Sequence, residues 1–151
     1  MSSYDKIDFA ILGLLSRDAE QSAGALARQL DMSQPAVWRR IRRLEKNGVI
    51  KGHRLILDRA KLGFGVTVFL GIKLSGKKGV QLEDFERAVS AIPEVQNVEH
   101  VLGMYDYRLR VVARDIVDFE RILRRRVMTL PGVGDVEANV LLSEERRPGP
   151  I

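Results

Sequence analysis

Hydrophobic and polar positions recur along this chain with two different periods, and the change from one to the other divides it. From Asp5 to Ser16, Ile7, Ile11, Leu14 and Leu15 fall on one helical face, with Asp5 or Asp8 available as cap. A second helix is predicted from Ser22, its N-cap, with Leu26, Ala27 and Leu30 turned inward. A third is predicted from Ser33 to about Asn47: Ser33 caps it, Pro35 sits in the first turn where no N–H is needed, and Asn47 and Gly48 stop it. So little chain separates the second and third helices that the turn between them must be sharp. The run "VIKGHRLILDRAKLG" then reads as a short strand, a basic turn and another strand, a wing followed by a connector ending near Gly63.

Beyond Gly63 the strand period takes over. "FGVTVFLGIKLS" is a strand, "SGKKG" a turn, and "VQLEDFERAVSAI" a helix with Leu82, Phe85, Val89 and Ile92 on one face, ended by Pro93. "VQNVEHVL" and "YDYRLRVVA" are strands joined through "GMYD". "DIVDFERILRRRVMTL" is a helix capped by Asp115 that buries Ile116, Phe119, Leu123, Val127 and Leu130, and "DVEANVLLS" is the last strand. Strand, helix, strand, strand, helix, strand is the split βαβ, or ferredoxin-like, order, with both helices on one face of an antiparallel sheet. The other face is left bare, and an uncovered apolar face in so small a domain predicts self-association. The chain is thus expected to be α+β: a helix-turn-helix (winged-helix-like) domain over 1–53, a connecting strand or hinge over 54–63, a ferredoxin-like βαββαβ domain over 64–143, and a flexible tail over 144–151.

Composition changes the picture in two places. Cysteine is absent and histidine occurs only twice, which excludes disulfides, thiolate nucleophiles and cysteine metal sites. The formal charge of +5 lies wholly in the first part, since residues 1–63 hold 12 Lys+Arg against 7 Asp+Glu and the remainder is balanced. That asymmetry points to an N-terminal module facing a polyanion. No apolar run approaches the roughly 20 residues that cross a bilayer, and "MSSYDKIDFAIL" has no signal-peptide layout, so a cytoplasmic protein without a membrane partner is expected.

Much of the excess sits in "SQPAVWRRIRRLEKNGVI". At about 100° per residue, Val37, Ile41 and Leu44 lie within roughly 60° of arc. Arg39, Arg42, Arg43 and Lys46 occupy the opposite side and Arg40 the border. A charge run alone is usually a solvated face. Here it carries one acid, Glu45, and belongs to the second helix of a tight helix-turn-helix, the geometry that places a helix in the major groove of duplex DNA. Ser33, Gln34, Trp38 and Arg39 are the candidates for base or near-base contact, and Arg40, Arg42, Arg43 and Lys46 for phosphate neutralisation. Trp38 could equally pack against the neighbouring helix. On the predicted wing, Lys51, His53 and Arg54 would add backbone contacts.

At this point the chain resembles the leucine-responsive regulatory protein and asparagine regulator (Lrp/AsnC) family of transcription regulators. The resemblance spans nearly all of it, on "IDFAILGLLSRDAEQSAGALARQLDMSQPAVWRRIRRLEKNGVIKGH", "LDRAKLG", "GMYDYRLRV" and "LPGV". It implies a sequence-specific DNA-binding regulator, modulated by a small molecule, usually an amino acid, and paired as dimers that assemble into tetramers or octamers, with no cofactor. The resemblance puts the effector near Gly103, Met104, Tyr105 and Asp106 and near Asn139, Val140 and Leu141. A zwitterion needs donors for its carboxylate and acceptors for its ammonium, which turn N–H groups and Asp106 can supply. Otherwise "GMYD" is only a hairpin turn, with Gly103 taking unusual backbone angles and Asp106 capping it. Two departures stand out: "EANVLL" lacks the threonine common in the family's last strand, and Asp31 replaces the usual glycine before the third helix.

Other functions are weaker fits. An effector-independent, nucleoid-like DNA-binding protein would share every feature of the first half. Siroheme decarboxylases resemble the family and use histidines near a tetrapyrrole, for which only His53 and His100 are available, and a decarboxylase has no need of the four-arginine helix. No Gly-rich phosphate loop, nucleophile elbow or metal-spaced His/Asp set is present, so no catalytic residues are assigned and no enzyme is expected. Arg124, Arg125 and Arg126 read as a solvated tract, with Glu120 pairing Arg124.

Overall fold

A computed structural model of the chain describes residues 4–76 and 82–145. Part of the predicted "SGKKG" turn, the first residues predicted for the fourth helix, and the tail from residue 146 lie outside the described residues. The chain divides into two compact units that meet in sequence at Ile56 and Leu57.

The first unit contains α1 (Lys6–Arg17), α2 (Ala23–Gln29) and α3 (Gln34–Lys46). Its core is Ile11, Leu26, Ala27, Val37 and Leu44, with Leu14, Leu15, Leu30 and Ile41 partly buried around it. The Asp5 side chain caps α1 by accepting from the N–H groups of Ile7 and Asp8, and Asp8 returns the contact to the Asp5 N–H, a reciprocal capping box. Ser22 caps α2 through the Ala25 N–H. Ser33 stands at the N-cap of α3 with extended backbone, but, contrary to expectation, its side chain makes no capping bond.

Two of these helices end in the same way. The Met32 N–H reaches the Ala27 carbonyl (2.9 Å) after α2, and the Val49 N–H reaches the Leu44 carbonyl (2.9 Å) after α3. Each closes a Schellman motif around one left-handed residue, Gly48 (φ 71°) in α3 and Asp31 (φ 51°) in α2. A left-handed residue carrying a Cβ costs about 1–2 kcal/mol, part of which glycine would return to the unfolded chain. Asp31→Gly is therefore expected to stabilise the first unit by roughly 0.5–1 kcal/mol, read as a higher midpoint in urea unfolding followed by the fluorescence of Trp38.

The predicted wing is absent. Residues 51–58 form neither helix nor strand, and Leu55, Ile56 and Leu57 are exposed. The reason is pairing: a strand is made by a ladder with a neighbour, and within the chain's sheet no strand pairs with this run.

The second unit is built on β1 (Val66–Leu74), α4 (Leu82–Ser90), β2 (Val95–His100), β3 (Tyr107–Ala113), α5 (Ile116–Ile122) and β4 (Val133–Val140). The strands form one antiparallel sheet in the order β2-β3-β1-β4, the ferredoxin-like topology. Strand alternation sends Val68, Leu70, Ile72, Tyr107, Leu109 and Val111 to the face where Phe85, Val89, Phe119, Ile122 and Val127 pack. The Tyr107 hydroxyl donates to Glu86 (2.6 Å), and its ring lies 4.7 Å from that of Phe85.

Burial, and then the Glu86 carboxylate, push the Tyr107 phenol up to about 12. A phenol raised in the folded state holds a proton that the unfolded chain has already lost. Its contribution is complete below pH ~10 and disappears as the pH climbs through about 12, a span equivalent to roughly 2–3 kcal/mol. Ultraviolet titration should show a tyrosine ionising near pH 12, a step missing from Tyr107→Phe.

Two expectations fail here. The pattern of the last helix predicts a buried Ile116, but Ile116 is 55 % exposed and Ile122 is buried in its place. Ile122 and Val127 are five residues apart, a spacing that would set them about 140° apart on an ordinary α-helix. A π-helical turn, Leu123–Val127, with the Met128 N–H on the Leu123 carbonyl (2.9 Å), returns Val127 to the core. The open sheet face is also not apolar. Register places Asn97, Arg110, Phe69 and Asn139 in one row across it and Glu99, Arg108, Gly71 and Glu137 in the next.

Candidate nucleic-acid interface and ligand cleft

α3 buries Val37 and Leu44 and sends its charge outward unevenly. Ser33, Gln34, Trp38, Arg39, Arg42 and Lys46 are all exposed. Trp38 is 52 % exposed and lies outside the buried core. The Arg42 guanidinium sits 5.4 Å above its ring and also pairs with Glu45 at 3.0 Å. That stack presents a flat, cationic surface beside Arg39 and Lys46, suited to sugar-phosphate and base edges.

Arg40 and Arg43 depart from the expectation that the arginines present themselves together to phosphate. Arg40 binds Asp5 and Asp8, both at 2.8 Å, and Arg43 binds Asp8 at 2.5 Å. Asp8 is only 1 % exposed. The Asp8 N–H and then Arg40 hold the Asp5 carboxyl below its ordinary value, while Asp5 and then Asp8 raise the Arg40 guanidinium. A helical wheel of α3 alone could not reveal this, because both acids come from the start of α1. One signal was present: an aspartate on the apolar side of α1, between Ile7 and Ile11.

In the second unit, the β2–β3 loop and the open sheet face enclose a cleft of about 320 Å³ lined by Phe69, Gly71, Gly103, Met104, Tyr105, Arg108 and Asn139 among others. The Tyr105 ring lies directly on Gly71, where an added Cβ would approach it to 2.6 Å. Its hydroxyl donates to Glu137, which also accepts from the Asn139 amide at 2.9 Å. That contact raises the Tyr105 phenol and lowers the Glu137 carboxyl. Four of the expected effector residues, Gly103, Met104, Tyr105 and Asn139, therefore meet at one place. Gly71, Arg108 and Glu137 were missed. Only the strand register brings them there.

Asp106 and Val140 do not fit as expected. One Asp106 oxygen accepts the Leu74 N–H (2.8 Å), the other holds the Lys73 ammonium (3.1 Å), and the Asp106 N–H donates to the Ile72 carbonyl (2.9 Å). The Leu74 N–H first, with Lys73 also contributing, holds this carboxyl below its ordinary value. Asp106 thus fastens the loop to the end of β1, and its oxygens are already engaged. Val140 pairs with Val68, one residue on from Asn139, so its side chain leaves by the opposite face of β4. Gly103 has no positive φ, so unusual backbone angles do not explain it.

A wider groove of about 720 Å³ runs along α5, lined by Arg114, Asp118, Arg121, Arg124 and Arg125 among others. Arg114 and Arg121 pair with Asp118, and Arg124 with Glu120 as expected, so much of its charge is internally balanced. His100 stacks on Tyr107 (4.8 Å between rings), and His53 lies in the exposed run after α3. Among the described residues no group of three or more His, Asp or Glu is placed to hold a metal, and no helix is long and apolar enough to cross a membrane.

A basic helix-turn-helix followed by a ferredoxin-like unit with a ligand-sized cleft defines a DNA-binding transcription regulator with a small-molecule domain. Residues 4–51 match the model for winged helix-turn-helix DNA-binding domains, and residues 67–151 match that of the Lrp/AsnC ligand binding domain. The chain is 33 % identical over 140 residues to the DNA-binding transcriptional activator DecR of Escherichia coli K12, covering 93 % of this chain and 92 % of DecR. It is 32 % identical over 145 residues to the leucine-responsive regulatory protein of Haemophilus influenzae, covering 96 % and 87 %. An AsnC family transcriptional regulator from Agrobacterium tumefaciens superposes with a TM-score of 0.86 at 30 % identity, covering 96 % and 94 %. The chain belongs to the Lrp/AsnC family of transcriptional regulators.

Proposed function

We propose that residues 1–53 bind duplex DNA through Ser33, Gln34, Trp38, Arg39, Arg42 and Lys46, and that residues 64–143 bind a small effector and assemble the protein, with 54–63 as connector. The observation that carries this reading is the exposed, almost acid-free face of Trp38, Arg39, Arg42 and Lys46 on the second helix of a helix-turn-helix. The effector is an amino acid held between the open sheet face and the β2–β3 loop, by Gly103, Met104, Tyr105 and Asn139, while Asp106 keeps the loop in place. The size of the cleft supports this, as does the likeness to a relative named for its response to leucine. Arg108 lines the cleft with its guanidinium on Glu99 (2.6 Å), and its remaining N–H groups offer a partner for the effector carboxylate. The protein acts by binding rather than catalysis, in the cytoplasm, as a homo-oligomer. Support for assembly comes from the exposed Leu55, Ile56 and Leu57, since on the open sheet face Arg108 already pairs with Glu99 and Arg110 with Glu144.

The test is thermal denaturation with each of the twenty amino acids, followed by DNA titration with any that stabilises. At a concentration 100-fold above its Kd, a ligand contributes about 2.7 kcal/mol. Stabilisation that disappears in Gly71→Val, where the new side chain must displace Tyr105, supports the cleft. No stabilisation by any of the twenty removes the amino-acid assignment and favours an effector-independent regulator.

A further inference from the structure

Among the described residues Asp8 is the only charged side chain that is buried, and it joins two helices. One oxygen accepts from Arg40 (2.8 Å) and the other from Arg43 (2.5 Å), and the second oxygen also takes the Asp5 N–H (3.0 Å) of the α1 capping box. Asp5 adds a second carboxylate on Arg40 (2.8 Å). Two carboxylates thus face two guanidiniums, and the set is neutral. A carboxylate so deeply placed persists only when paired and hydrogen-bonded.

The consequence falls on α3. Its arginines divide by partner: Arg42 pairs with Glu45 and stacks on Trp38, whereas Arg40 and Arg43, the latter with 47 % of its side chain still exposed, reach the acids at the start of α1. We propose that Asp8 is a positioning residue for DNA recognition: it withholds Arg40 and Arg43 from the phosphates and sets the roll of α3, so that Arg39, Arg42 and Lys46 alone supply its backbone charge. Such a device restrains sequence-independent attraction, which grows with every cation offered to the duplex, and leaves orientation to contacts made at one angle. The inference rests on α3 meeting duplex DNA, and its test separates the two.

The full-length protein is titrated against a fluorescent random-sequence duplex over a series of KCl concentrations, and log K is plotted against log salt. Each phosphate contact contributes about 0.9 to the slope. Arg39→Gln should flatten it by about 0.9 per subunit, while Arg43→Gln should leave it unchanged. Asp8→Asn, which keeps the shape and removes the charge, should steepen the slope by about 0.9 or more per subunit and tighten low-salt binding. Asp8→Asn combined with Arg43→Gln should reverse at least half of that steepening. An Asp8 that served only the fold would leave the slope alone in Asp8→Asn and in the double variant. Arg43→Gln flattening the line as much as Arg39→Gln overturns the proposal, as does an Asp8→Asn slope equal to that of the wild type. Should Asp8→Asn not fold, the comparison of Arg43→Gln with Arg39→Gln decides. If neither arginine moves the slope, the DNA-facing assignment of α3 falls as well.

Discussion

Alanine at both Arg39 and Arg42 should weaken binding of duplex DNA by roughly 2–6 kcal/mol per subunit, at about 1–3 kcal/mol for each side chain removed. Both side chains stand clear of the first unit's core, so the effect is one of recognition. Arg39 is exposed, and Arg42 is held only by Glu45 and the face of Trp38. Surface changes of this kind usually move stability by no more than about 0.5 kcal/mol, so the circular dichroism melt should be close to that of the wild type. Fluorescence anisotropy with labelled duplex measures the effect. On the proposal that the two guanidiniums act in part on phosphates, the gap between variant and wild type should narrow as salt rises, through counterion release. Binding at wild-type strength, with the variant folded, would remove the face from the interface.

Phe85→Ala should cost about 3–5 kcal/mol, the range for removing a buried aromatic ring. Phe85 has no exposed surface, and its ring lies 4.7 Å from Tyr107, whose hydroxyl is fixed on Glu86. Neighbours held in a four-stranded ladder cannot follow the side chain inward, so most of the cavity persists. The chain offers a convenient internal control. Its one tryptophan, Trp38, belongs to the first unit, whereas backbone dichroism reports both. The variant should therefore show an early dichroism transition in urea while the tryptophan transition remains near its wild-type midpoint. Coincident, equally shifted transitions would mean that the two units unfold as one.

The elements most readable from sequence were those set by local chemistry. Asp5, Ser22 and Asp115 occupy their predicted caps, Pro35 and Gly48 bracket α3, and the first three strands form within the runs that alternation marked, while β4 starts earlier than expected, at Val133. What sequence could not supply came from partners distant along the chain. The wing failed because 51–58 reads as strand-like but has nothing to pair with. Arg40 and Arg43 look DNA-facing on a helical wheel because their acids lie 32 to 35 residues earlier. Tyr105 resting on Gly71 depends on a strand pairing invisible to any local pattern, and Val140 was grouped with Asn139 although adjacent strand residues diverge. Asp106 carried the right chemistry for an ammonium, but the N–H of Leu74 and Lys73 had claimed it.

The π-helical turn at Leu123–Val127 stores one surplus residue of backbone, because its closing bond spans five residues where an α-helix spans four. Excising any one of Arg124, Arg125 or Arg126 would let that ring contract to the ordinary size, with Phe119 and Ile122 on one flank and Val127 on the other still meeting the sheet. A length change that would throw other helices out of phase thus has a harmless location here, and the three consecutive guanidiniums at that location are where the deletion would fall.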